Sequence, residues 1–219
     1  MAATSKDQAD FFWTRVRTAL HAMRPLREPG YGQAAMARSM GMRPRLGAMI
    51  EQELAEGWAK AADKHVSLSL LVIEMDRASD FFAAYDAEIA AQGVHAVMRA
   101  ITDSLPRGGD SCLRLGPGGF VAVLPDVPVL MARSAALNIA TAVRSLSLPN
   151  KESHEGVVTV SLGLAVTNPR GGYDKKFFEA GAEALKKAQR KGIGYLHTVD
   201  LRPALDRKRR ARDRVLKAA

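Results

Sequence analysis

Cysteine is almost missing from this chain. Cys112 is the only one in 219 residues, which excludes an internal disulfide and a thiolate metal cluster. Long apolar runs are missing too, so no segment reads as a membrane helix. The opening MAATSKDQAD lacks the basic-then-apolar layout of a signal peptide. A cytoplasmic protein without membrane insertion is the expectation. Paired metal-ligand spacing with carboxylates is absent around His65, His95, His154 and His197, which read as structural or surface residues. His21 reads as solvated.

What is present suits a globular domain. Hydrophobic residues make up 47% of the chain, enough for one full core with extra helices at the ends. The net charge of +9 raises the question of nucleic acid, and its location answers in part. From Leu201 onward, LRPALDRKRRARDRVLKAA carries eight Lys or Arg against two Asp, which leaves only +3 for the first 200 residues. The basicity belongs to an appendage rather than to a globular face. It reads as a solvated helical tail or, in the alternative, as a tether for nucleic acid or an anionic surface through Arg207 to Arg214.

Phe12, Val16, Leu20 and Met23 recur at helical spacing and predict an amphipathic helix over 8–24, packed on its own domain or pairing two chains. PLREPG ends it. A second helix is predicted from about Pro44 to Asp63. Val66 to Asp76, VSLSLLVIEMD, is an apolar run long enough for a central strand. One long helix is expected from Asp80 to Leu105. The short strands CLRL and FVAVL then flank GPGG, a hairpin turn in which glycine supplies positive φ and proline presets its own. A helix from Pro128 to Leu146, a strand from Gly156 to Val166, a helix from Phe177 to Arg190 and a strand from Gly194 to Val199 complete the chain. This order predicts an α/β sandwich with a mixed sheet, related to the ferredoxin-like plan. Cys112 and Trp58 are expected to pack in or on the core, as is Trp13.

Several segments together resemble the GGDEF domains, the diguanylate cyclase family. RLGPGGFVAVLP is similar to that family's hairpin, where an Arg and one residue precede Gly-Gly-Asp/Glu-Glu-Phe. VTVSLGLAV is similar to its T-V-S-I-G strand, and EAGAEALKKAQRKGIGYL to its late helix. LSLLVIEMD sits where the family has a strand ending D-x-D, and SMGMRPRL echoes its L-T-G-L-x-N-R-R turn. The resemblance covers roughly residues 38–199, with 1–37 as an N-terminal helical extension and 200–219 as a basic tail. It implies the GGDEF-like sandwich, a central mixed sheet flanked by helices. It also implies a candidate chemistry, the joining of two GTP molecules into cyclic di-GMP with two carboxylate-held metal ions.

The carboxylates that this chemistry needs are largely missing. Gly118 and Gly119 occupy the motif's two acidic positions. Glu74 replaces the first aspartate of D-x-D. Tyr85 stands for the guanine-contacting asparagine, and Val94 for the aspartate of the following G-D pair. Gln189 stands for the phosphate-contacting lysine, and Ile193 for the G-R-N arginine. The expectation is a domain with no cyclase activity, no catalytic residues and no catalytic metal.

A second element of the family is kept. Its inhibitory site, Arg-x-x-Asp, places the aspartate six positions before the motif's first glycine, and Arg107-Gly108-Gly109-Asp110 stands in that register before Gly116. The resemblance implies binding of cyclic di-GMP, usually as an intercalated pair of molecules. The chemistry suits: guanidinium engages phosphate oxygens or the O6/N7 edge of guanine. A carboxylate accepts from guanine N1–H and N2–H₂, and the glycines leave room for a stacked purine. The other reading of PRGGD is a plain turn between helix and strand. Family members often add an arginine from the helix after the hairpin, where this chain offers Asn138, Ala142 and Arg144. The expectation is a cyclic di-GMP receptor that alters its contacts with a protein partner through its terminal helices, with a homodimer allowed but not demanded. A ligand-free interaction scaffold is the alternative.

Overall fold

The computed structural model describes residues 46–203 apart from 108, 109, 152 and 154. The expected helix over 8–24, Trp13, and the tail from 204 onward lie outside the described residues. Helix α1 spans Leu46–Asp63, strand β1 Leu68–Met75, helix α2 Ala78–Ala84 and helix α3 Ala87–Asp103. Strands β2, Ser111–Arg114, and β3, Gly119–Pro125, form the hairpin. Helix α4, Val129–Ser145, strand β4, Val160–Thr167, helix α5, Lys176–Lys191, and strand β5, Leu196–Asp200, follow.

The sheet has five strands in the order β2-β3-β1-β4-β5. β1 is antiparallel to both neighbours, β2 is antiparallel to β3, and β4 is parallel to β5. The mixed sheet flanked by helices is the architecture expected from the pattern. β1 is central, which is why its sequence is apolar at nearly every position. Leu71, Ile73 and Met75 enter a core with α3 and α4, whereas Leu68, Leu70 and Val72 enter a second core with α1 and α5.

Helix α5 lies directly on β4. A Cβ at Gly163 would stand 2.3 Å from both the Gly181 carbonyl oxygen and the Leu185 nitrogen. No side chain larger than hydrogen fits between those two backbones.

The expected single helix over 80–105 is instead two. Asp86 adopts an extended conformation and its side chain accepts from the Ile89 N–H, capping α3 and ending the register of α2. The capping aspartate in Tyr85-Asp86-Ala87-Glu88 is the sequence signal for that break. β4 begins at Val160 rather than Gly156, because Val157 bridges Pro149 and leaves the sheet line. β5 begins at Leu196 because Gly194, at φ 72°, forms a turn. In the hairpin, the positive φ belongs to Gly116 at 102°. Gly119 is already part of β3.

Candidate functional site

The Arg107–Asp110 pair and the Gly118–Gly119 doublet sit at opposite ends of the β2–β3 hairpin. Gly119 faces Glu74 at one end of β3, and Pro125 faces Leu68 at the other. A strand of this length separates them by about 20 Å.

At the Pro125 end lies the link between α3 and β2. The Arg107 N–H donates to Asp110 Oδ2 at 3.0 Å, and the Asp110 N–H donates to the Arg107 carbonyl at 3.1 Å. These two bonds close a turn and bring the paired residues of the motif together. Gly108 and Gly109 lie outside the described residues. The Arg107 guanidinium turns toward the end of β3. Its Nη2 donates to the Asp126 carbonyl at 2.8 Å, and its Nη1 reaches Asp126 Oδ2 at 3.1 Å and the Pro125 carbonyl at 3.5 Å. Burial raises the Asp110 carboxyl above the usual range, opposed by the Arg107 N–H bond and by the Arg107 charge.

These groups line a cavity of about 250 Å³ together with Glu53, Lys60 and Lys64. Glu53 accepts from the Ser111 hydroxyl at 2.6 Å. Lys60 makes a long 3.9 Å contact with Glu56, with both side chains largely exposed. The residues that the motif alone does not reveal are Lys60, Lys64 and Asp126. Two lysines four apart at the end of α1 are a visible signal, but only the fold places them beside a loop more than forty residues later. The described residues that line this cavity include none from the helix after the hairpin. Arg144, on the last turn of α4, is paired with Glu155, and Asn138 is exposed.

At the Gly119 end, the backbone is packed where acidic side chains would stand. A Cβ at Gly118 would meet the Ala78 Cβ at 2.8 Å, and one at Gly119 would meet the Leu115 carbonyl oxygen at 2.7 Å. Gln189 Nε2 donates to the Glu74 carboxylate at 2.8 Å. Asp76 is buried and accepts from Thr159 Oγ1 at 2.7 Å, Ser161 Oγ at 2.6 Å and the Gly194 N–H at 2.8 Å. The Tyr85 hydroxyl donates to the Pro149 carbonyl at 3.1 Å, its ring lies 5.1 Å from that of Phe81, and burial raises its pKa. Val94 is buried in the core. Among the described residues, no three His, Cys, Asp or Glu side chains come together in a way that could hold a metal ion.

The family model described as diguanylate cyclase, GGDEF domain, matches residues 47–194. The chain belongs to the GGDEF family. Solved structures agree in fold. The GGDEF domain of DgcB from Caulobacter crescentus, in complex with c-di-GMP, is similar with a TM-score of 0.61 and 21% identity, over 69% of this chain and 88% of that one. The active GGEEF domain of a diguanylate cyclase from Vibrio cholerae gives 0.58 and 19%, over 67% and 92%. The diguanylate cyclase SiaD from Pseudomonas aeruginosa, in complex with its activator SiaC, gives 0.61 and 18%, over 88% and 76%. No curated protein matches this GGDEF protein in sequence. No helix among its described residues is long and apolar enough to cross a membrane.

Proposed function

We propose that this GGDEF protein is a receptor for cyclic di-GMP with no cyclase activity of its own, bound through Arg107 and Asp110. The observation that carries the reading is the closed Arg107–Asp110 turn beside a cavity walled by Lys60 and Lys64. An anionic, guanine-bearing ligand needs cations for its phosphates and an acceptor for its base. This corner of the fold offers both within one depression. The c-di-GMP complex of the similar domain from Caulobacter crescentus supports the ligand class.

The donor set at the other end of the hairpin supports the absence of cyclase activity. Two divalent cations need several free carboxylate oxygens. Here glycine occupies two of the positions, Asp76 already accepts three hydrogen bonds, and Glu74 is joined to Gln189. Those residues do not fit a pair of cations, so no catalytic step is assigned to them.

The test is calorimetric titration of cyclic di-GMP into the purified protein, with Arg107→Ala and Asp110→Ala beside it. Binding by the wild-type protein that both substitutions abolish supports the receptor. No heat from folded wild-type protein overturns it. A second reading, an interaction scaffold without nucleotide, is favoured by one feature of α4, where Leu130, Met131 and Leu137 are each about half exposed. Loss of affinity for every guanine nucleotide, with partner binding kept, selects that reading.

A further inference from the structure

We propose that Asp126 is a built-in competitor for the ligand, an internal carboxylate that occupies Arg107 until cyclic di-GMP displaces it. The proposal rests on the receptor reading and concerns the regulation of the same site. Nothing in the Arg-x-x-Asp motif contains Asp126. The fold brings it there, at the turn that leaves β3.

Four observations carry it. First, the Asp126 carboxylate takes Arg107 Nη1 at 3.1 Å, the kind of contact a ligand phosphate or a guanine edge would make. Second, the guanidinium does not depend on that carboxylate for its direction. The carbonyls of Asp126 and Pro125 also accept from it, at 2.8 and 3.5 Å. Third, Asp126 lines the same cavity as Arg107 and Asp110, so its negative charge faces any dianion that enters. Fourth, the turn is fixed. The Asp126 N–H donates to the Ser67 carbonyl at 2.8 Å, and Asp126 sits at φ 57°, so its carboxylate is presented to Arg107 by a held backbone.

The physical consequence has a definite sign. An ion pair whose side chains are 45% and 50% exposed is screened and worth little to folding. Its effect on binding is larger than its effect on stability, because the same carboxylate both occupies the donor and repels the incoming phosphate. Removing only the charge therefore favours the ligand while leaving the guanidinium aimed by the two carbonyls.

Asp126→Asn is the suitable change. Asparagine has nearly the same shape and tolerates the left-handed conformation required at this position. Asp126→Glu serves as the control that keeps the charge. Cyclic di-GMP is titrated calorimetrically into the wild-type protein, into both variants and into Asp126→Asn combined with Arg107→Ala, after thermal melting shows each is folded. The expected result is affinity about two- to fivefold tighter for Asp126→Asn, the range that a partly exposed ion pair commands. That gain should disappear in the double variant. Equal or weaker affinity in Asp126→Asn, with Arg107-dependent binding intact in the wild type, overturns the competitor and leaves the receptor standing. Silence from wild type and Asp126→Asn alike overturns both.

Discussion

Gln189 Nε2 donates to the Glu74 carboxylate across 2.8 Å, joining the last turns of α5 to the end of β1. An amide there neutralises no charge, whereas the lysine expected from the family pattern would carry one to a substrate phosphate. If these residues retained catalysis, restoring that lysine should enhance it. We expect none: incubation of GTP with Mn²⁺ and either wild type or Gln189→Lys should yield no cyclic di-GMP by chromatography. The pair lies at the surface, so Gln189→Ala should shift stability by less than about 0.5 kcal/mol in urea unfolding. Product from either protein would show that the missing acidic positions are compensated.

The carboxylate just beyond the end of that strand has the opposite character. Asp76 is buried and accepts from Thr159, Ser161 and the Gly194 N–H, so it ties the end of β1 to the start of β4 and to the turn before β5. Asp76→Ala leaves two buried hydroxyls, of Thr159 and Ser161, without their acceptor. At about 1–3 kcal/mol for each unsatisfied buried group, the loss should be at least about 2 kcal/mol. Urea unfolding measures it. A loss below about 1 kcal/mol would mean that water replaces the carboxylate without difficulty.

Much of this fold is legible in the sequence because its signals are local. The apolar run of β1, the glycine-bounded hairpin and the amphipathic α5 each appear in a short window. The break between α2 and α3 is legible only through Asp86, whose capping bond outweighs a helical composition on both sides. The candidate site is less legible. Arg107 and Asp110 are neighbours in sequence and could be paired on paper. Asp126, Lys60 and Lys64 reach them only through the antiparallel register that returns β3 to the start of β1. The role of Gly118 and Gly119 is legible in part. Their lack of a side-chain oxygen is plain from the sequence, but the close backbone approach that they permit is not.

Gly163 offers a sharper test of packing than any larger core residue. Its missing Cβ would lie 2.3 Å from two backbone atoms of α5, and backbone cannot rotate aside. Gly163→Ala should force α5 off β4 at a loss of about 3 kcal/mol or more, the upper end of overpacking. Gly47→Ala, where nothing stands within 4 Å, should change stability by less than about 1 kcal/mol. Thermal unfolding of the two variants side by side separates steric conflict from any general intolerance of alanine for glycine.

Cys112 gives a prediction with a definite pH sign. Burial pushes its thiol up to about 12, although a hydrogen bond with Thr102 acts to lower it. The thiolate is the nucleophile, so the native protein should react with iodoacetamide at pH 8 far more slowly than the urea-unfolded chain. Because the folded pKa lies above the ordinary value of 9.0, the folded state holds this proton more tightly than the unfolded one. The stabilising contribution is therefore fully present below about pH 9, and it is lost as pH rises from there toward 12. Cys112→Ser removes the thiol from that titration, so its stability should decline less steeply over the same interval. Equal alkylation rates in native and unfolded protein at pH 8 would place the sulfur in solvent and remove the basis for the pH effect.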